Sequence, residues 1–183
     1  AAEKYGVPLK FAPADVQEEL KKHMPDFGSA KNPVDMTGMA GNDWYYQTTK
    51  FSFAHKWTDG LVVLYCETAM TNPQEIAESI KKAIDESGIK NKPVTVSFVG
   101  GAKSDKAMAW LVEHGIPAFG APDIAVNAIA SLREYAKLQE SKNHETVKSD
   151  PKARKIALDI IAKARADGRD SLTEIEAKGV FKA

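Results

Sequence analysis

Between positions 61 and 101 the apolar and polar residues follow the rhythm of a strand, then a helix, then a strand. Leu61-Val62-Val63-Leu64-Tyr65 is apolar without a polar break, which predicts a strand covered on both faces. Asn72 suits a helix cap and Pro73 a first helical position. Ile76, Ile80, Ala83 and Ile84 then recur at helical spacing, and Ser87-Gly88 is a stop. Val94 to Val99 is a second strand, running into Gly100-Gly101. Two buried strands joined by one amphipathic helix predict a parallel, right-handed crossover. The segments leaving the strands, Cys66-Glu67-Thr68 and Gly100-Gly101, are then expected on one edge of the sheet, where open parallel sheets bind ligands.

The rest of the chain keeps the same alternation. Ala1 to Gly6 reads as the last turns of a helix with Gly6 as its stop, so the chain is expected to begin inside a helix. Val7 to Phe11 predicts a short strand, and Pro13 to Met24 a helix with Val16, Leu20 and Met24 on one face. After the loop Lys31 to Gly41, Asn42 or Asp43 is expected to cap a helix running from Trp44 to about His55. Ser104 is expected to cap a helix carrying Ala107, Met108, Leu111 and Val112. Ile116 to Phe119 predicts a short strand, and Pro122-Asp123 open a helix with Ala125, Ala128, Ile129 and Leu132 inward. The order predicts an α/β domain, a flavodoxin-like, doubly wound parallel sheet in three layers. From Gln139 to Ser149 the periodicity is lost and a linker is expected. Asp150-Pro151 start a helix carrying Ile156, Ile160 and Ile161, a C-terminal helical linker that Gly168 closes. Thr173 with Glu176 three residues on is a capping box for one more helix, in or just after which the chain is expected to be cut.

The 183 residues are 43% apolar and 27% charged, with a formal net charge of zero. Neutrality argues against nucleic acid or an anionic membrane as the main partner. No apolar run is long enough to cross a bilayer. A single cysteine, Cys66, rules out an internal disulfide or a cysteine-cluster metal site, and fits a reducing cytoplasm.

Candidate chemistry is concentrated in the loops. In Asn32 to Gly41, Asp35, Thr37 and free backbone N–H groups suit the holding of an anion or carboxylate. The same glycines also suit a tight connection with no ligand. Gly100-Gly101 ahead of a Ser104-capped helix could cradle a phosphate or carboxylate, although a lone Gly-Gly is far short of a dinucleotide fingerprint. Glu67 reads as a solvated or substrate-orienting carboxylate rather than a general base. The sequence places no histidine beside Cys66, which argues against a nucleophilic cysteine. His23, His55, His114 and His144 stand in no recognisable metal-binding or phosphate-accepting context, and no metal site is expected.

Five segments, in order, resemble the NDP-forming acyl-CoA synthetases, the group that contains ADP-forming acetyl-CoA synthetase. They are Asn32-Pro33-Val34-Asp35-Met36-Thr37-Gly38; Thr71-Asn72-Pro73; Lys92-Pro93-Val94 through Gly100-Gly101; Gly115-Ile116-Pro117 with Ala121 to Val126; and Leu172-Thr173-Glu174-Ile175-Glu176-Ala177-Lys178. Residues 1–140 also resemble the flavodoxin-like C-terminal domain of the succinyl-CoA synthetase β subunit. The resemblance implies three parts: residues 1–140 as the flavodoxin-like ligase domain without its first strand, 141–170 as a linker with a helix, and 171–183 as the start of an ATP-grasp domain. It implies a reversible reaction of ATP, CoA and a short carboxylic or hydroxy acid through an acyl phosphate and a phosphohistidine. CoA, ATP and Mg2+ are then cofactors of a complete enzyme, and none is expected to bind this part alone. The phosphate-carrying histidine motif is absent, so no catalytic residue is expected here. The implied contribution is one wall of an active site: Asn32, Asp35, Thr37 and Gly38, with Glu67, Thr68, Gly100 and Gly101 beside them. The implied partners are CoA-binding, phosphohistidine and ATP-grasp domains, in a cytoplasmic oligomer. Two rival readings are a catalytically inactive regulatory region, as fused to protein lysine acetyltransferases, and a stand-alone flavodoxin-like binding module.

Overall fold

The computed structural model describes residues 1–140 and 150–182. The chain divides into two compact units, Ala1–Gln139 and Glu140–Ala183. The first holds α1 (Ala14–Lys21), α2 (Asn42–Ala54), β1 (Leu61–Cys66), α3 (Pro73–Ser87), β2 (Val94–Val99), α4 (Ala102–Glu113) and β3 (Ala118–Phe119), and is closed by α5 (Pro122–Glu140).

The three strands are parallel, in the order β1-β2-β3. Val63 lies opposite Val96 and Tyr65 opposite Phe98. Alternation along each strand sends these four side chains to one face. There they bury Ile76 and Ile80 of α3, Ala107 and Leu111 of α4, and Tyr45 of α2. The Tyr65 ring packs 4.6 Å from Phe98 and meets Tyr45 edge-on at 5.9 Å. On the other face Thr95 donates to the Ala125 carbonyl of α5 at 3.0 Å. Helices therefore lie on both sides of the sheet, with α5 behind β2, and the expected three-layer α/β arrangement holds.

Local rules account for α3. Asn72 Oδ1 accepts from the Gln74 N–H at 3.0 Å, Pro73 opens the helix, and Gly88 ends it at φ +68°. A smaller core beneath α1 buries Val16, Leu20, Met24 and Ala30 against Val34, Met36, Phe51 and Trp57. Met36 packs against both cores and so fastens the loop that follows α1.

Several expectations change. Val7–Phe11 is not a strand: a strand exists only through its ladder, and this segment pairs with none among the described residues. Leu9 and Phe11 stay exposed. Ala1–Gly6 is a turn rather than several helical turns, with Gly6 at φ +64° as its stop. β1 is covered on one face only, because Leu64 is 48% exposed. α1 is shorter than expected, although Met24 beyond its end is still buried. α2 starts at Asn42 with Gly41 as cap, and α4 starts at Ala102 with Gly101 as cap; neither cap position makes a side-chain hydrogen bond. In α5, Ala125 and Ala130 are buried while Leu132 is exposed. The expected linker stretch 141–149 lies outside the described residues.

In the second unit Asp150 caps α6 (Pro151–Ala166) by accepting from the Lys152 N–H at 2.9 Å. Gly168 ends that helix at φ +74°. The capping box forms at α7 (Glu174–Lys182): the Thr173 N–H donates to Glu176 at 2.8 Å, and the Glu176 N–H donates to Thr173 Oγ1 at 3.4 Å. Arg169 grips Glu176 with two parallel N–H donors, each at 2.8 Å. A side chain at Gly179 would press on Ile160 Cδ1 at 3.1 Å, so this glycine lets α7 approach α6.

Candidate functional site: three loops at the C-terminal edge of the sheet

The loop after α1 is held by its own alternation. Val34 and Met36 turn inward and leave Asp35 exposed between them. Asp35 also exchanges two backbone hydrogen bonds with Ser29, at 2.9 and 2.7 Å. Gly28 is required at this bridge, since a Cβ there would stand 2.9 Å from the Asp35 carbonyl oxygen. Asn32 sits at φ +101° before a cis bond to Pro33, and its side chain donates to the Lys10 carbonyl at 2.9 Å. Thr37 sits at φ +70°, a left-handed conformation that β-branched residues rarely adopt. The Asp35 carboxylate holds it there by accepting from the Thr37 N–H at 2.8 Å.

Hydroxyls tie this loop to the exit of β1. Thr68 donates to the Gly38 carbonyl at 3.4 Å and lies 3.2 Å from the Thr71 hydroxyl, which in turn meets the Tyr65 hydroxyl at 2.7 Å. Burial pushes the Tyr65 hydroxyl above its ordinary range. Burial does the same to Tyr45, which keeps its proton and donates it to the Leu64 carbonyl at 3.0 Å.

A carboxylate ties the exit of β1 to that of β2. The Glu67 N–H extends the ladder by donating to the Val99 carbonyl at 2.8 Å. Its Oε2 accepts from the Ser104 hydroxyl at 2.7 Å and from the Gly101 N–H at 3.0 Å. These two bonds, led by Ser104, hold the carboxyl below the ordinary glutamate range, and Lys103 adds to the effect.

The fold thus brings Gly38, Thr68, Glu67, Gly100 and Gly101 to one edge, with Asp35 and Thr37 in the loop that ends there. Asn32 stands apart, bonded toward Lys10. Between the strand exits is a shallow open depression lined by Glu67, Thr68, Thr71, Gly101 and Lys103. Thr71 and Lys103 were missed as site residues, and Ser104 was expected only as the cap of α4 rather than as a partner of Glu67. The signal available for Lys103 was its place directly behind Gly100-Gly101.

The depression offers the Thr68 and Thr71 hydroxyls and one ammonium, Lys103, beside the Glu67 carboxylate, so its Thr68 side suits one side of a phosphate or carboxylate. It does not enclose a ligand the size of a nucleotide or CoA. No group of three metal-ligating side chains occurs among the described residues, and no helix there is long and apolar enough to cross a membrane. His23 lies 3.7 Å from Glu19, His55 accepts from the Trp57 N–H, and His114 stacks on Trp110 at 4.0 Å. His144 lies outside the described residues.

A parallel three-stranded α/β unit with its loops gathered at the C-terminal edge defines the class. The family model for the Ligase-CoA domain matches residues 1–141. The chain belongs to that family, and through it to the NDP-forming acyl-CoA synthetases. It is 43% identical over 140 residues to the alpha subunit of acetate–CoA ligase (ADP-forming) I of Pyrococcus furiosus, covering 75% of this chain and 29% of that one. It is 28% identical over 188 residues to acetate–CoA ligase (ADP-forming) I of Archaeoglobus fulgidus, covering 98% and 26%. The solved acetyl-coenzyme A synthetase 1 of Ca. Korarchaeum cryptofilum, in complex with phosphate and ADP, superposes with a TM-score of 0.74 at 38% identity over 81% of this chain and 32% of that one. The chain therefore spans about a third or less of the length of these relatives.

Proposed function

We propose that this chain supplies one wall of the active site of an ADP-forming acyl-CoA synthetase, which interconverts ATP, CoA and a short carboxylic acid with ADP, phosphate and acyl-CoA. The observation that carries the reading is the gathering of the 32–41 loop, the β1 exit and the β2 exit at one sheet edge, in a domain whose relatives are ADP-forming acetate–CoA ligases. In this role Asn32, Asp35, Thr37, Gly38 and Thr68 shape and line the side that meets an acyl phosphate or a phosphorylated histidine, and Glu67, Gly100 and Gly101 stand beside it as the flanking wall. Positioned N–H groups and hydroxyls, rather than a nucleophile of this chain, would be its contribution to the transfer.

CoA, ATP with Mg2+, and the histidine belong in this reading to neighbouring domains of a cytoplasmic assembly. Residues 141–170 would link to an ATP-grasp domain beginning at 171–183. The Arg169–Glu176 clamp and the Thr173 capping box suit a defined start for such a domain. The test is ADP release by the complete polypeptide carrying this chain, assayed with a panel of short carboxylic and hydroxy acids. Release that requires both acid and CoA supports the reading. No such release with any acid in the panel would sink it and favour a regulatory, inactive synthetase-like region.

A further inference from the structure

We propose that Glu67 is a built-in plug for the N-terminus of α4, a specificity-determining residue that keeps free phosphate and small carboxylates from seating there. A helix that opens behind two glycines ordinarily offers its first N–H groups to an anion. Here the chain's own carboxylate takes that place. Glu67 Oε2 accepts from the Gly101 N–H at 3.0 Å and from the Ser104 hydroxyl at 2.7 Å. Ser104 is fully buried, so its hydroxyl is committed to Glu67 rather than offered to solvent.

The surrounding backbone is cut to this contact. A Cβ at Gly100 would stand 2.3 Å from Ser104 Oγ, 2.4 Å from Glu67 Oε2 and 2.6 Å from Glu67 Cβ. Such approaches leave no room for any side chain at Gly100 while Glu67 lies across it. The carboxylate is also fixed from behind, because the Glu67 N–H is bonded to the Val99 carbonyl at 2.8 Å. An incoming anion would have to displace this carboxylate or meet a like charge at contact distance, and both oppose binding. Lys103 beside the plug and Tyr65 at the end of β1 are the other titratable groups that face it. Anion recognition at this edge then falls to the 32–41 loop and Thr68. The plug involves groups of this chain alone, so its test needs no acyl-CoA activity.

The test is an NMR titration of the 15N-labelled chain with inorganic phosphate at neutral pH. In the native chain the amides of Gly101 to Ser104 should not respond saturably. In Glu67→Ala they should, with phosphate bound at least tenfold more tightly. Saturable binding at those amides in the native chain as tight as in Glu67→Ala would overturn the proposal, as would the absence of binding in a folded Glu67→Ala. A second measurement holds if that variant does not fold. In the native chain the Gly101 amide proton and the Glu67 carboxyl carbon should titrate together on acidification, and a Gly101 amide that ignores the Glu67 titration would also overturn the plug.

Discussion

The Asp35 carboxylate accepts the Thr37 N–H at 2.8 Å, and Thr37 carries φ +70°. An acidic side chain thus holds a threonine in a conformation that threonine disfavours by about 1–2 kcal/mol. Asp35→Ala removes the bond from an exposed loop, and one hydrogen bond of this kind contributes about 1 kcal/mol. If the loop lines the proposed site, kcat/KM of the complete enzyme should fall by far more than this stability loss explains. Thermal midpoint and turnover, measured on the same preparation, separate the two; unchanged turnover would make the loop purely structural.

Gly100 is where the β2 exit is least tolerant. Gly100→Ala drives a Cβ into Ser104 Oγ and Glu67, and overpacking of this kind costs about 1–3 kcal/mol. In a Glu67→Gly, Ser104→Ala background the three closest contacts are gone, and the same substitution should cost less than half as much. Urea unfolding of the four chains measures the coupling. Equal cost in both backgrounds would mean that the strain lies in the backbone at Gly100 itself.

Glu176 makes the second unit sensitive to acid. Arg169 first, and then the Thr173 N–H, pull its carboxyl down to about 2. A carboxylate depressed in the folded state stabilises above its unfolded value and loses that contribution as protons return. Here the contribution should be complete above about pH 4.5 and fade as the pH falls toward about 2. Glu176→Gln should remove this dependence. Carboxyl carbon NMR of the intact chain, read with the amides of α7, tests it; a Glu176 midpoint in the ordinary glutamate range would contradict the clamp.

The sheet-to-helix core is the main store of stability in the first unit. Phe98 and Ile80 are fully buried, at 1% and 0% exposure. Phe98→Ala should cost about 3–5 kcal/mol and Ile80→Ala about 2–5 kcal/mol. Exposed Leu64→Ala should cost well under half of either. Denaturant midpoints rank the three; a Leu64 cost equal to that of Phe98 would mean that β1 is covered on both faces in solution.

The amino-acid sequence by itself determined the elements that close on nearest neighbours. α3 forms because Asn72, Pro73, the Ile76–Ile80 spacing and Gly88 satisfy capping, entry, burial and exit within one segment. The parallel pairing of β1 with β2 was legible for the same reason, since a short amphipathic helix between two apolar runs leaves few alternatives. So was the family, through segments such as Asn32-Pro33-Val34-Asp35, though not what each residue touches.

Tertiary structure decided the rest, because it depends on partners far along the chain. Val7–Phe11 has strand-like residues, but a strand is a relation between two segments, and among the described residues no ladder receives it. Leu64 belongs to an apolar run, yet burial depends on what covers the face, and α5 reaches Thr95 of β2 rather than enclosing β1. Ser104 looked like a helix cap, but the register that sets Cys66 opposite Val99 carries Glu67 to the mouth of α4, and Ser104 bonds to it from inside the helix. That contact joins residues 37 apart in sequence. No local pattern encodes it, because its geometry exists only once the two strands have paired.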